Sequence, residues 1–373
     1  MQRALLLVLV VILCVPPVRF VVLRATERDV DRTTPQWRAR EEILSRARVF
    51  AGDPLPIASL DLSRVPGETQ PLDSGATVSC QYVPKPTSGT TSKFDCRLEN
   101  GEIVKVKYGH SRERQGEIAA TRLLAALGFG ADRVTFVNRV RCFGCPASPF
   151  KMRKIAEEFM ATKLMDLMIN YKSPRDFDAV SVERKLEGRA VEVGTFEGWD
   201  WRELTLVDAA KGGASPAELD ALRLIAIFLG HWDNKSTNQR LVCLAETDAM
   251  AEESTCRHPL LMLQDLGATF GPTKVNYEAW TARPIWEDER TCLVHMKSMP
   301  YAGILFPPAV ISEAGRALLA DRLTQLSAGQ IHALFAAARF PDPVTDKEPA
   351  ADLTPWVRTF QDKVRQIAER RCE

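Results

Sequence analysis

The sequence predicts an α+β fold in two lobes, and three observations carry that reading. The first is a group of strand patterns at 78–83, 93–98 and 102–108, the last two joined by Asn100-Gly101, a hairpin signal. The second is a helical pattern from Arg112 to Leu127, stopped by Gly128, with a further strand pattern in DRVTFVNRVRC. The third is the predominance of helical patterns after residue 150. At 373 residues, 45% hydrophobic and 26% charged, the chain can bury a large core as one two-lobed domain or two domains.

The elements follow in order. Residues 1–23 read as a signal peptide or amino-terminal anchor: Arg3 precedes an apolar run from Ala4 to Pro17, the length of a signal h-region. Residues 24–75 hold one helical pattern, QWRAREEILSRARVF, and then lose periodicity, which reads as a linker or surface wrap. The strand lobe takes 76–150 and the helical lobe 151–373. In the latter, KMRKIAEEFMATKLMDLMINY reads as helix and VERKLEGRAVEV as strand and turn. The clearest helix is SPAELDALRLIAIFLG, with Ser215 as N-cap, Pro216 at the first turn, Glu218 closing a capping box and Gly230 as the stop. It is apolar nearly all round and therefore buried. Two short apolar strands, QRLVCL and HPLLMLQDLG, precede helices at 312–326, 327–340 and 354–371.

Net charge of +1 offers no field for nucleic acid, which is excluded as a partner. Beyond Cys14 there are eight cysteines, an even count that suits disulfides in an exported protein. Cys80 and Cys96 sit on the first two strands and could be cross-strand partners, whereas the lone Cys142-x-x-Cys145 reads as a local disulfide or plain thiols, not a zinc site. The expected location is extracytoplasmic, secreted or membrane-anchored. Arginines 24, 28, 32, 38 and 40 keep an alternative open, a cytoplasmic domain on a reverse-oriented anchor.

The chemistry gathers in GHWDNKSTNQRLVC, between the buried helix and an apolar strand, and in Asp265-Leu266-Gly267 after the next strand. Two Asp, one Asn and one Lys at element ends supply hard oxygen ligands, a carboxylate for a hydroxyl proton and a cation for a phosphoryl group. Alone, each has a plainer reading: His231 as a structural imidazole, Asp233 as a turn or cap residue, Asp265-Leu266-Gly267 as a turn after a strand. The ordered conjunction points to phosphoryl transfer.

HWDNKSTN resembles the catalytic loop of protein kinases, H-R-D-L-x-x-x-N, and QDLG resembles their D-F-G motif. Upstream, GEIVKVKYG resembles the third-strand V-A-I-K and GEIAATRLLAALG the helix bearing its glutamate partner, all in kinase order. The resemblance implies a bilobal kinase-like fold, similar to atypical secretory-pathway kinases, with ATP and Mg²⁺ as cofactors. It assigns the acceptor proton to Asp233, the γ-phosphoryl to Lys235 and the metal ions to Asn238 and Asp265. It gives the α/β-phosphates to Lys107 paired with Glu117. Lys105 is the alternate, because both lysines share one strand face. The partners implied are ATP and a hydroxyl-bearing acceptor, whether protein, sugar or small molecule. Departures are plain: no G-x-G-x-x-G precedes the strand, Gly89 in PTSGTTSK being the candidate phosphate cradle; Trp232 stands in place of the Arg; and Asp265 lies 27 positions after Asn238, Cys243 and Cys256 bracketing the insertion. The missing loop supports an alternative, a pseudokinase-type nucleotide- or protein-binding module without catalysis.

Overall fold

The computed structural model describes residues 32–53, 55–86, 88–244, 256–296, 306–340 and 352–372; the predicted signal or anchor at 1–23 lies outside them. The chain is a mixed α+β protein. Helix α1 (Pro35–Ser45) starts at the Thr34 cap and leads into β1 (Thr77–Val83), β2 (Lys93–Leu98) and β3 (Ile103–Lys107). Then come α2 (Glu113–Ala126), β4 (Arg133–Phe143), α3 (Pro149–Glu158), α4 (Thr162–Leu167) and β5 (Pro174–Arg184). The remainder is β6 (Arg189–Ala190), α5 (Pro216–Leu229), β7 (Gln239–Cys243), β8 (Pro259–Leu263), α6 (Tyr277–Ala282), β9 (Leu293–Val294), β10 (Ala309–Val310), α7 (Glu313–Thr324), α8 (Ala328–Ala337) and α9 (Thr354–Ala368).

Strands β1 to β5 form a closed barrel in the order β1-β2-β3-β5-β4, antiparallel except for the parallel β1–β4 pair that closes it. The antiparallel pairing that the strand patterns and the hairpin signal imply is present, and the parallel β1–β4 closure is an addition to it. Most of β5 is disguised in the sequence because its exposed positions carry charge: Asp176 and Asp178 pair across to Arg141 and Arg139 at 2.9 and 2.6 Å. Those pairs take the place of an apolar alternation. Inside the barrel lie Tyr82, Phe94, Val104, Val106, Val140 and Val180, together with the disulfides Cys80–Cys96 and Cys142–Cys145. On β3, Val104 and Val106 face this interior, so alternation turns Lys105 and Lys107 outward, toward α2 and the cleft.

A second, larger core joins α2, α5 and α7 to α9 with the segment before β1, which contributes Ile43, Leu44, Ile57 and Leu62. Helix α1 is fixed by a buried ion pair, Arg40 to Glu203 at 2.5 Å. Helix α5 has the predicted Ser215–Glu218 capping box and ends at Gly230, whose φ of +65° is the left-handed stop. The single helix expected over 151–171 is instead two. Met160, at φ +54°, occupies the left-handed position, while the Ala161 N–H bonds the Ala156 carbonyl at 2.7 Å, a Schellman stop without glycine. Disulfides also join Cys243 to Cys256 and Cys292 to Cys372. Among the described residues no helix is long and apolar enough to cross a membrane.

Candidate active site

His231 is the first residue past the glycine stop of α5 and opens the loop that carries the site. The His231 ring is fully buried, and burial pushes its pKa down to about 4 against the pull of Asp233 and Asp265, so it is neutral. The following loop is clamped to the Asp265 loop by backbone bonds. Trp232 N–H donates to the Ala268 carbonyl at 3.0 Å, and Gln264 N–H to the Asn238 carbonyl at 2.9 Å. Asn234, buried, donates to the His231 carbonyl at 3.1 Å, while Asn238 donates to the Asp233 carbonyl at 2.7 Å. The Asn238 amide nitrogen is thus committed, which leaves its oxygen as the acceptor. Lys235 Nζ lies 2.9 Å from an Asp233 carboxylate oxygen.

Across the cleft, β3 and α2 bring Lys107 within 2.5 Å of Glu117, and the same ammonium is 3.9 Å from Asp265. Burial lowers the Lys107 pKa, but Glu117, Glu183 and Asp265 outweigh it and hold the group well above its ordinary value. Burial raises Glu117, and Glu183 and Asp265 add repulsion that the ion pair with Lys107 does not cancel. Lys105 is turned to a different partner, Glu183, at 3.0 Å. The two lysines that strand alternation leaves equivalent are therefore separated by register: Lys105 stands opposite Glu183 on β5, and Lys107 is the one that reaches α2.

Gly89, with φ +75°, lines the same cleft, and its carbonyl accepts from Lys154 Nζ at 2.7 Å. Together Gly89, Lys105, Lys107, Glu117, Lys235, Asn238 and Asp265 border one cavity of about 400 Å³, and Asp233 borders its smaller extension. Every residue given a nucleotide, metal or transfer role from the sequence thus faces one cleft, whereas His231 lies buried behind it. Lys105 faces it as part of a structural pair with Glu183.

Sequence reasoning missed three contributors, Glu183, Lys93 and Gly116. Glu183 is buried 3.1 Å from Lys107 and bonded to Lys105; burial raises its pKa, yet the two ammoniums outweigh this and hold it far below the carboxylate range. Its signal, a Glu on a strand opposite two lysines, needs the β3–β5 pairing to be read. Lys93, opposite Lys107 on β2, adds a cation, lowered by burial and by Lys105. Gly116 lets α2 approach the Asp265 loop at the motif's own Gly267: a Cβ on Gly116 would lie 3.0 Å from the Gly267 carbonyl oxygen. A lone Gly inside a helical pattern is the available hint.

The donor set suits a hard divalent cation: the Asp265 carboxylate, half exposed to the cleft, and the freed Asn238 oxygen. Asp265 itself is left-handed, φ +50°, a conformation Asp tolerates better than most residues.

The sequence matches no family model and none of the curated protein sequences. Among solved structures, similarity extends to the crystal structure of a Helicobacter pylori proinflammatory kinase, CtkA. That similarity is 11% in identity and 0.41 in TM-score, covering 79% of this chain and 95% of that one. So distant a likeness carries no argument about the site.

Proposed function

We propose that this chain is an ATP- and Mg²⁺-dependent phosphotransferase of bilobal kinase-like fold, moving the γ-phosphoryl group to a hydroxyl acceptor. The observation that carries the reading is the meeting of Lys107, Glu117 and Asp265, from three separate motifs, at 2.5 and 3.9 Å beside the Asp233–Lys235 pair. Lys107, oriented by Glu117 and Glu183, holds the α/β-phosphates. Lys235 leaves Asp233 to meet the charge of the γ-phosphoryl group. Asp233 then accepts the proton of the acceptor hydroxyl as its oxygen bonds to phosphorus and the bond from phosphorus to the β-phosphate oxygen breaks. A magnesium ion on Asn238 and Asp265 would neutralise phosphate oxygens. The cations Lys93, Lys105 and Lys107 beside Glu117 and Glu183 suit a polyanion.

The four disulfides support an oxidising, exported location, and an exported compartment that holds ATP reconciles this with the chemistry. Calorimetry of ATP binding with and without Mg²⁺ tests the proposal. Asp265→Ala is expected to abolish Mg²⁺-dependent binding, and Asp233→Ala to keep binding while losing transfer. Binding without transfer to any hydroxyl acceptor would favour the non-catalytic module, and a folded protein that binds no nucleotide would overturn the proposal.

A further inference from the structure

Eight of the ten exposed large apolar side chains among the described residues fall between 152 and 171, on the α3–α4 hairpin. Four of them protrude from its turn and its far end: Phe159 is 72% exposed, Met160 92%, Leu167 84% and Met168 76%. Behind them an apolar cavity of about 600 Å³ opens between the helices and Cys145. A patch of this kind on a water-soluble surface marks something that covers it.

The charges around the patch decide what that is. Residues 149–175 carry six cationic and three anionic side chains in a chain whose net charge is only +1. Arg153 is spent inside the hairpin, on Glu157 and Asp166 at 3.3 and 2.7 Å. That leaves Lys151, Lys154, Lys163, Lys172 and Arg175 exposed at the margin, with Glu158 as the exposed acid between them. Apolar tips ringed by lysines are complementary to a bilayer with anionic headgroups: the tips enter the acyl boundary and the ammoniums stay at the phosphates. The chain holds a second apolar element followed by cations, the run at 4–17 with arginines 24, 28 and 32 after it. Stable attachment to a bilayer generally takes two such signals.

We propose that the α3–α4 hairpin is a membrane-interface element that seats on an anionic lipid surface through Phe159, Met160, Leu167 and Met168. Lys154 joins that surface to the cleft, because it holds the Gly89 carbonyl. The seat does not depend on the phosphotransferase reading.

Hydrogen exchange of the full chain, in buffer and on vesicles of neutral lipid or with about one-third phosphatidylglycerol, tests it. Amides of 150–171 should exchange about tenfold more slowly on the anionic vesicles, while those of α5 are unchanged. Phe159→Glu with Leu167→Glu should abolish the slowing. The double variant should still sediment with vesicles through residues 4–17 and melt as the wild type does, since both positions are exposed. Unchanged exchange at 150–171 in vesicle-bound protein would overturn the proposal. So would equal slowing on neutral vesicles, or slowing without lipid that rises with protein concentration, which would assign the patch to a second copy.

Discussion

Lys105 and Lys107 differ in what faces them. Lys107 is buried against Glu117 and near Asp265, whereas Lys105 is paired with Glu183 and partly open to solvent. Lys107→Met is therefore expected to weaken nucleotide binding at least about tenfold, and Lys105→Met less than about threefold, in a calorimetric titration. Reversed magnitudes would exchange their roles. His231 supplies a pH prediction. Its folded pKa of about 4 lies below the ordinary 6.5, so the folded state binds fewer protons than the unfolded chain between those values. Its contribution is complete above pH 6.5 and is lost as pH falls toward 4, about 3 kcal/mol in all. Replacing it with the non-titrating His231→Gln should flatten the urea-unfolding free energy over pH 4 to 6.5 relative to wild type. Parallel profiles would show that the imidazole takes up its proton in the fold as readily as in the unfolded chain.

At the scale of elements, the contact between α2 and the Asp265 loop sets the distance from Glu117 to Lys107. Ala at Gly116 would gain about 1 kcal/mol in helix propensity. The added methyl, however, meets the Gly267 carbonyl at 3.0 Å and the Thr269 carbonyl at 3.3 Å, both backbone atoms of a clamped loop. Overpacking of that kind costs about 1–3 kcal/mol, so Gly116→Ala should be net destabilising by about 1 kcal/mol and should weaken nucleotide binding. A rise in melting temperature would show that the loop yields. What could be read from sequence divides along the same line. The capping box of α5, its glycine stop and the hairpin at Asn100-Gly101 are local signals, and they appear where the sequence puts them. Motif residues on short loops, Asp233 to Asn238 and Asp265, were nameable because their chemistry depends on spacing. Glu183, Lys93 and the barrel closure depend on which strands pair, and pairing between residues 105 and 183 is written in no local pattern. Met160 hid a helix stop because the left-handed position there is filled without glycine.

For the whole molecule, the four disulfides divide by the length of chain they close. Cys142–Cys145 spans a separation of 3 inside the barrel, and Cys292–Cys372 spans 80, tying the end of the chain to the helical core. Beside the latter, Glu313 accepts from the Cys372 N–H at 2.9 Å, and Arg316 donates to the Ile367 carbonyl at 2.8 Å, so the end of α9 is held by α7 independently of sulfur. If the covalent link acts on the unfolded chain, loop-closure entropy makes the long bridge worth about 4–5 kcal/mol and the short one about 2. Cys292→Ala with Cys372→Ala should then lower the unfolding free energy about twice as much as Cys142→Ala with Cys145→Ala, because all four cysteines are buried and the lost packing is similar in kind. Urea titrations of the two double variants decide between this account and its rival. Equal losses would mean that the bridges act through packing in the folded state, and that the noncovalent contacts of Glu313 and Arg316 already keep the carboxyl end in place.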